Sequence, residues 1–461
     1  MKHLLLFLAL LLPAVAAAYD FEADGIYYMI DGDEVAVTSR TSLGGSYSGD
    51  VVIPATVTHA GTTYPVTSIN GDAFYKCTGM TSITIPNSVT TIGYAAFNRC
   101  DGLTSVHITD LEAWFSITFS NFDANPLSYA GHLVLNGEVV TDLVVPGSVT
   151  AIHDWAFEGC TDLASVSIHD GVTVIGNNAF VNCTGLTRVD MGNAITWIGD
   201  GAFSGCMALT GIDIPNSVTY VGYEAFCDCF GLVSVTMGDH LVEIGDFAFA
   251  NCVSLTGINI PNSVATISHG AFNGCSALTE LILPNSVTFI GPSAFCACSS
   301  LTSVTIPSSL TSLSDGIFSG CSALANVTIP STITTIGEWA FDGCSAMTAI
   351  HCWAMEPPTV FSTTFVDCYG AVLYVHADAV EAYRQADCWK DFAMIQAMPP
   401  AGDVDGDGKV NIDDVAILID ALLTGDTDAI SFEFADLNAN GRLDIDDITT
   451  IIDFCLNLIT L

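Results

Sequence analysis

The chain has 461 residues, of which half are hydrophobic and 13% are charged. Acidic residues dominate, with 50 Asp and Glu against 9 Lys and Arg, so the formal net charge is −41. A surface this negative repels phosphate backbones and anionic headgroups, which argues against nucleic acid and membrane surfaces as partners. The large apolar fraction indicates folded domains rather than a disordered chain.

The first 18 residues have the pattern of a secretory signal. Lys2 and His3 precede an apolar run over residues 4–12, and small residues fill positions 14–18. This order predicts cleavage before Tyr19 and export of the mature protein, either released or displayed at the cell surface. The apolar run is too short to span a bilayer, and no later stretch predicts membrane insertion.

A 23-residue unit then repeats along most of the chain. Its pattern is Leu-x-x-Val-x-Ile-Pro-x-Ser-Val-x-x-Ile-Gly-x-x-Ala-Phe-x-x-Cys. The Phe of the unit recurs at a constant step of 23 residues, at Phe157, Phe180, Phe203, Phe226, Phe249, Phe272, Phe295, Phe318 and Phe341. One rung, between Thr109 and Pro146, is longer and carries an insertion around residues 111–138. A period of this length is typical of solenoids.

The chemistry of the unit predicts how it folds. The Val-x-Ile segment alternates apolar and small polar residues, which is the period of a half-buried strand. Pro after the Ile ends the strand, because Pro cannot donate to a sheet ladder. The Phe is expected to fill the interior. A single unit cannot bury its apolar side alone, so the rungs must stack as parallel strands.

Twelve of the 17 cysteines occupy one column of the repeat, three residues after the Phe. They are Cys77, Cys100, Cys160, Cys183, Cys206, Cys229, Cys252, Cys275, Cys298, Cys321, Cys344 and Cys368. Stacked rungs hold their Cβ vectors parallel, which is poor geometry for a disulfide. We therefore expect a ladder of buried thiols, while Cys352, Cys368 and Cys388 leave room for one bridge near the end of the repeats.

The motif Ser-Val-x-x-Ile-Gly-x-x-Ala-Phe-x-x-Cys resembles the BspA-like bacterial leucine-rich repeats, the treponemal-type surface proteins. The resemblance implies a leucine-rich-repeat solenoid, a parallel β-rich right-handed superhelix. It also implies an N-terminal cap with the first rungs over residues 19–85, repeats over 86–353 and a C-terminal cap over 354–398. Family members are secreted or surface-exposed, and several act as adhesins toward host proteins or other cells.

After a Pro- and Gly-containing linker, residues 399–461 predict two calcium sites. The first loop offers side-chain oxygens from Asp403, Asp405, Asp407, Asn411 and Asp414, and the main-chain carbonyl of Lys409. A second copy lies 33 residues later, at Asp436, Asn438, Asn440, Arg442, Asp444 and Asp447. Oxygen ligands at loop positions 1, 3, 5, 9 and 12, with Gly at position 6, are the pattern that an EF-type Ca²⁺ loop requires.

Each loop runs into one predicted apolar helix, over residues 415–423 and 448–456. Pro399-Pro400 forbids the helix that would precede the first loop of an EF-hand. A loop followed by a helix, twice over, resembles the dockerin module, which implies a small all-α calcium-binding domain and a cohesin-type scaffold as partner. Loop positions 10 and 11 make the cohesin contact in that family. Here they are Ile412, Asp413, Ile445 and Asp446, where many dockerins carry Ser or Thr.

The outward positions of the Val-x-Ile strands are small and polar. Because a sugar platform needs aromatic faces, this side suits a protein partner better. A second column holds candidate ligand contacts at Trp197, Tyr220, Tyr223 and Phe289. Clustered exposed aromatics can form a binding hot spot; the alternative is that these side chains only pack along the edge of the turn.

Familiar catalytic motifs are missing from the sequence: there is no nucleophile elbow, His-Glu-x-x-His, P-loop or dinucleotide fingerprint. We therefore predict a non-catalytic interaction protein whose solenoid binds a protein or cell-surface ligand and whose calcium module attaches it to a scaffold. The competing hypothesis is a carbohydrate-binding component of an extracellular polysaccharide-degrading complex, which the dockerin resemblance favours and the aromatic-poor strand face disfavours.

Overall fold

The computed structural model describes residues 19–41, 43–398, 402–404, 409–424, 435, 443 and 445–455. Two compact units share the chain. The solenoid unit comprises Met1–Thr348 and Pro358–Gly370, and the C-terminal unit comprises Ala349–Pro357 and Ala371–Leu461. Within the described residues, no helix has both the length and the apolar character needed to cross a membrane.

The solenoid unit begins with antiparallel strands. Phe21–Ala23, Ile26–Asp31 and Glu34–Thr38 pair in sequence order. The third of these pairs in parallel with Thr62–Ile69, which also pairs in antiparallel fashion with Thr56–His59. The parallel stacking of rungs starts here, and the antiparallel strands occupy the backbone edge that the first rung would otherwise leave open.

The Val-x-Ile segments form the first column of strands, which we call the long strands. They are Ser48–Val52, Gly79–Thr84, Ser105–Ile108, Leu133–Leu135, Asp142–Val144, Ser165–Ser167, Arg188–Asp190, Gly211–Asp213, Ser234–Thr236, Gly257–Asn259, Glu280–Ile282, Ser303–Thr305 and Asn326–Ile329. Most neighbouring long strands pair in parallel; Leu281, for example, lies between Ile258 and Val304. The central residue is buried and its neighbours are exposed, as the alternating pattern predicts.

A second column of two-residue strands forms where the chain turns at Ile-Gly; we call these the short strands. They are Thr91–Ile92, Thr118–Phe119, Ala151–Ile152, Val174–Ile175, Trp197–Ile198, Tyr220–Val221, Glu243–Ile244, Thr266–Ile267, Phe289–Ile290, Ser312–Leu313 and Thr335–Ile336. Their second residue is buried throughout. The following Gly permits close stacking: a Cβ added to Gly222 would lie 2.6 Å from the carbonyl carbon of Gly199 in the preceding rung.

The interior of the solenoid unit is a stack of phenylalanine rings. From Phe157 to Phe365, successive rings lie 5.2–5.9 Å apart and nearly parallel. All of these rings are completely buried. Their position confirms the predicted interior column, and the parallel strands on either side confirm the predicted solenoid.

The cysteine column lies beside these rings. All 17 cysteines fall within the described residues and all are free thiols, so the predicted ladder is confirmed and the bridge left open near the end of the repeats does not form. Cys368 donates to the carbonyl oxygen of Phe341 at 3.2 Å. Cys352 instead contacts the hydroxyl of Tyr383 at 3.1 Å, and Cys388 is half-buried.

The rungs of Phe74, Phe97 and Phe157 to Phe341 contain two left-handed backbone positions each, one two residues before the Phe and one two residues after it. Gly, Asn and Asp hold most of them, as expected where φ is positive. Bulky side chains nevertheless occupy the first position at Trp155 (φ 59°), Phe247 (φ 54°) and Trp339 (φ 55°). Such residues resist this conformation, so the stacked rungs must impose it.

The longer rung contains short helical segments where the other rungs have a turn. These are the α-helix Leu111–Phe115, the 3₁₀ turn Phe122–Ala124 and the α-helix Leu127–Ala130. The chain then rejoins the long strands at Leu133–Leu135 and forms a hairpin with Glu138–Val139. Trp114, from the first helix, is buried and donates its indole N–H to the carbonyl oxygen of Ala156 at 3.0 Å.

The C-terminal unit starts with three more parallel strands, Ala349–Cys352, Val372–Val375 and Met394–Ala397. Helical segments between them are Ala377–Ala379, Val380–Gln385 and Trp389–Asp391. Tyr383 and Trp389 are buried together, with an edge-on ring contact of 5.1 Å. Two further helices follow, Ile412–Thr424 and Ile445–Cys455, in the region where the sequence predicts calcium loops.

Candidate functional sites

The first candidate calcium loop is closed by the side chain of Asp414, its last residue. Oδ1 of Asp414 accepts the N–H of Val404 at 2.7 Å, and Oδ2 accepts the N–H of Asn411 at 2.8 Å. Asp414 therefore ties the end of the loop to its second and ninth positions. Asp403, the first predicted ligand, is also completely buried.

Asn411 explains why the first helix begins earlier than the sequence predicts. Its side-chain oxygen accepts the N–H of Asp413 at 2.8 Å, while Asp414 accepts the N–H of Asn411. Asn411 is thus the N-cap, and Asp414, the third helical residue, accepts the N-cap N–H as the corresponding residue of a capping box does, so the helix starts at the next residue. The helices begin at Ile412 and Ile445 instead of at residues 415 and 448, so loop positions 10 and 11 lie in the first helical turn.

The two copies have equivalent environments. Asp414 and its counterpart Asp447 are both completely buried. Ile412 and its counterpart Ile445 are both exposed, at 67% and 66%. Asp413 is also exposed, whereas the side chain of Asp446 lies outside the described residues. The predicted docking positions are thus exposed wherever they are described. An exposed Ile leaves its hydrophobic side chain in water unless a partner covers it.

A small apolar core joins the two copies. Its buried members are Val404, Val415, Leu418, Ala435, Ile448 and Ile451, with Val410, Ile417, Leu443 and Cys455 packed against them. Many of these residues correspond at the 33-residue offset, such as Val415 with Ile448 and Leu418 with Ile451. Each helix is too short to be stable alone, so the module depends on this shared core.

The described part of the loops fits calcium. Buried carboxylates are costly unless hydrogen bonds or a cation compensate them, and Ca²⁺ takes oxygen ligands. Asp403, Asp414 and Asp447 are buried carboxylates. In the sequence, Lys409 and Asn411 lie between Asp403 and Asp414. The other predicted ligands fall outside the described residues: Asp405, Asp407, Asp436, Asn438, Asn440, Arg442 and Asp444. Among the residues that are described, no three His, Cys, Asp or Glu gather into a metal cluster.

On the solenoid unit, three of the four candidate aromatic residues lie on two neighbouring rungs. Trp197 and Tyr220 are paired in neighbouring short strands, with ring centroids 5.1 Å apart. Tyr223 lies three residues after Tyr220 in the same rung and is 43% exposed, while Trp197 is 42% exposed. Phe289 is also exposed but lies three short strands away, beyond Glu243 and Thr266. It does not join the cluster.

Phe247 extends this cluster and was missed by the sequence reasoning. Its ring meets Tyr223 edge-on at 6.2 Å and His269 edge-on at 4.8 Å. Phe247 lies one column away from Tyr223, at the left-handed position before the buried Phe. A bulky residue in a column otherwise rich in Gly, at 201, 270 and 316, was the available signal.

The outward positions of the long strands form an open face. Asp190, Asp213, Thr236, Asn259 and Thr305 are all exposed. Val52, Val144 and Ile282 are apolar exceptions, at 63%, 68% and 73% exposure. The face is therefore mostly polar, as the sequence predicts.

A shallow cleft beside the longer rung, with a volume of about 650 Å³, contains Asp110, Glu112, Ser116 and His153. The Asp110 carboxylate accepts the N–H of Glu112 at 2.9 Å and so caps the helix Leu111–Phe115. Ser116 donates its hydroxyl to the carbonyl oxygen of Glu112 at 3.0 Å. These polar groups stabilise a short helix rather than form a nucleophile with its base.

Comparison with known proteins identifies both parts of the chain. The BspA type leucine rich repeat region matches residues 56–128, 135–252 and 242–369, which together are more than half of the chain. The chain belongs to this family. The dockerin type I domain matches residues 401–455.

A crystal structure of a leucine rich cell surface protein from Faecalibacterium prausnitzii is similar, with 27% identity and a TM-score of 0.55 over 82% of this chain and 98% of that one. A leucine-rich repeat protein from Bacteroides ovatus has 25% identity and a TM-score of 0.44, over 72% of this chain and 94% of that one. No curated protein sequence matches the chain.

These assignments establish the general character of the molecule. A leucine-rich-repeat protein with a dockerin domain has a role in protein interaction and dockerin-mediated attachment. Both families are typically non-catalytic and typically extracellular or surface-located. Dockerin type I domains generally bind calcium, and their partner is a cohesin-type protein.

Proposed function

We propose that this chain is a secreted, non-catalytic, adhesin-like protein. Its solenoid unit binds a protein ligand at a cell surface, and its dockerin module attaches it to a cohesin-bearing scaffold in a calcium-dependent way. The observation that carries the proposal is the combination, in one chain, of BspA type repeats with a dockerin whose two exposed Ile residues occupy matching positions.

The solenoid supports the binding half of the proposal. Its long-strand face is open and mostly polar, which suits an extended protein contact. The cluster of Trp197, Tyr220 and Tyr223 adds exposed aromatic surface, the kind of anchor that dominates protein interfaces. Phe289, three short strands away, would contact a ligand only as a separate point.

The double loop supports the attachment half. We propose that Asp403, Asp405, Asp407, Asn411 and Asp414 hold one Ca²⁺ together with the carbonyl of Lys409. The equivalent set holds a second: Asp436, Asn438, Asn440, Asp444 and Asp447, with the carbonyl of Arg442. Bound calcium neutralises these carboxylates and fixes the helices that follow each loop. Ile412, Asp413, Ile445 and Asp446 then form two copies of one docking surface.

The proposed functions are assigned to separate segments of the chain, on either side of the linker. We propose a signal over residues 1–18, a solenoid with its caps over residues 19–398, and an attachment module over 399–461. Residues 1–18 lie outside the described residues, and their role rests on the charged, apolar and small-residue pattern.

A paired binding screen tests the ligand class. The full secreted chain is applied, with calcium present, to an array of cell-surface proteins and to an array of polysaccharides. We expect saturable binding to a protein that persists when chelator removes calcium, because the described residues of the solenoid contain no group of three His, Cys, Asp or Glu that could hold a metal ion. Saturable binding to glycans alone would support instead the carbohydrate-binding component of a polysaccharide-degrading complex.

A further inference from the structure

The charge of the solenoid unit is one-sided over its later rungs. Arg188 is the last Lys or Arg of this unit, and the next one in the sequence is Arg384. Between residues 189 and 348 the sequence has twelve Asp and Glu. A field of one sign attracts and steers partners of the opposite charge.

The exposed aromatic cluster lies within these rungs and has carboxylates beside it. We call the group of Trp197, Tyr220, Tyr223 and Phe247, with Asp200, Glu243 and Asp246, the aromatic–acid surface. Glu243 follows Tyr220 in the column of short strands. Asp200 and Asp246 are exposed and stand one rung before and one rung after Tyr223 in its own column.

These carboxylates act on the aromatic side chains. Burial raises the pKa of the Tyr220 hydroxyl, and the negative charges of Asp200, Glu243 and Asp246 raise it further. The three acids are therefore close enough to a single ring to concentrate negative potential there. Aromatic faces and carboxylates placed together are the two features that attract a cation.

The two aspartates also have a structural task that uses only one of their oxygens. Oδ1 of Asp200 accepts the N–H of Tyr223 at 2.9 Å, and Oδ1 of Asp246 accepts the N–H of His269 at 2.8 Å. Asn177 makes the same bond to the N–H of Asp200 at 2.8 Å. Because Asn serves the ladder equally well, the ladder does not explain the negative charge at 200 and 246.

We propose that the aromatic–acid surface binds an arginine-containing basic segment of a protein partner. The inference rests on the proposed function, since it names the chemistry of the protein that the solenoid binds. A guanidinium group is planar and always charged, so it can stack on Trp197 or Tyr220 while it donates hydrogen bonds to a carboxylate. A partner segment with several arginines would meet several acids along the rungs.

The chain supplies matched substitutions for the test. Thr is native to the Trp197 and Tyr220 column at Thr266 and Thr335, so W197T/Y220T removes the rings without disturbing a short strand. D200N/D246N removes two charges and keeps the ladder bonds. Asp315 is the distant control: its Oδ1 makes the same bond, to the N–H of Glu338 at 2.9 Å, and D315N removes a charge five rungs from Asp200.

The probe is a nine-residue peptide of alternating arginine and glycine, titrated into the full chain by calorimetry at physiological salt. We expect one peptide per chain, and affinity about ten-fold weaker for W197T/Y220T and for D200N/D246N. D200N alone should weaken binding several-fold, whereas D315N should stay within about two-fold of the parent chain. A peptide with Glu in place of Arg should not bind.

Two results would overturn the proposal. If D315N weakens binding as much as D200N, the peptide responds only to net charge and there is no local surface. If the arginine peptide fails to bind at all, the aromatic–acid surface has another role. In that case a protein captured in the array screen would still uphold the proposed function, so the two failures are distinguishable.

Discussion

The thiol of Cys252 donates a hydrogen bond to the main-chain carbonyl oxygen of Phe226, 26 residues earlier in the chain, at 3.3 Å. The same bond joins successive rungs from Cys183 to Cys344, at 3.1–3.4 Å. The cysteine column therefore does more than fill space. In these rungs it supplies a weak donor to a main-chain carbonyl group. A thiol therefore suits this site better than an apolar side chain of similar size, which would leave the carbonyl group less satisfied.

The buried position of the ladder thiols predicts that they are unreactive in the folded protein. Burial raises the pKa of Cys252 well above its ordinary value, and the reactive species is the thiolate. A maleimide should label none of the 13 buried thiols under native conditions and all of them in denaturant. Only the half-buried Cys227, Cys296, Cys388 and Cys455 are candidates for native labelling. Mass spectrometry that finds disulfide-linked ladder cysteines would contradict the structure.

Substitution of two phenylalanines in one rung should change the free energy of unfolding by very different amounts. Phe249 is completely buried between Phe226 and Phe272, so Phe249→Ala should lower the free energy of unfolding by about 3–5 kcal/mol. Phe247, two residues earlier, is partly exposed at a left-handed position that Gly holds in the next rung at Gly270. Phe247→Gly should therefore change the free energy by less than about 1 kcal/mol, because relief of backbone strain offsets the lost contacts.

Urea unfolding of the full chain, followed by circular dichroism, measures both variants. The ratio of the two effects is the informative quantity, since it does not depend on how the rungs share their stability. Equal destabilisation would mean that Phe247 is a core residue rather than a surface one.

Glu158 predicts a loss of stability as the pH rises. Burial, and then the negative charge of Asp123, raise the pKa of Glu158 from its ordinary 4.5 to about 7. Between these two values the folded chain holds a proton that the unfolded chain has released, so stability falls as pH increases across this window and stays lower above it. Oε2 of Glu158 is buried and has no hydrogen-bond partner among the described residues.

Glu158→Gln removes the charge at every pH. We compare the melting temperature of the variant with that of the parent chain at each pH. The difference in favour of the variant should be several degrees larger at pH 8 than at pH 5. Glu112→Gln, at an exposed acid of the preceding, longer rung, is the control for a general charge effect. A Glu158→Gln effect that is the same at both pH values would show that Glu158 is ionised in the folded protein throughout the range.

Much of the solenoid could be predicted from the sequence because each rung repeats the same local rules. The Phe and Cys columns and the buried centre of each long strand follow from spacing alone. The early start of the helix Ile412–Thr424 did not, because it depends on Asp414 reaching back to the N–H of Asn411. Asp414 is both the last residue of the loop and a capping residue of the helix. The apolar pattern, which was used to place the helix, does not predict a start that depends on polar side chains.

The aromatic surface was only partly predictable. Trp197 and Tyr220 share a column, so their contact follows from the 23-residue step. Phe247 belongs to another column, so its contact with Tyr223 does not follow from the 23-residue step. Phe289 shares the column of Trp197 and is exposed, but two rungs, with Glu243 and Thr266 at this position, separate it from the pair.

Calcium stoichiometry tests the double loop. Calorimetric titration of the full chain, after chelation, should find two Ca²⁺ sites. Asp414→Asn and Asp447→Asn should each leave about one, since each substitution weakens the last ligand of one loop. If either variant loses both sites, the loops bind calcium only as a unit through their shared core. If the parent chain binds none, the residues at 403–414 and 436–447 are ordinary acidic turns.

Attachment itself is measured by surface plasmon resonance of the full chain over an immobilised cohesin domain from the source bacterium. We predict binding in calcium, its loss in chelator and its return when calcium is restored. Ile412→Asp and Ile445→Asp should each retain binding, and the double variant should lose it, because either copy of the docking surface suffices. Binding that chelator leaves unchanged, or that survives the double variant, would contradict calcium-dependent attachment through this module.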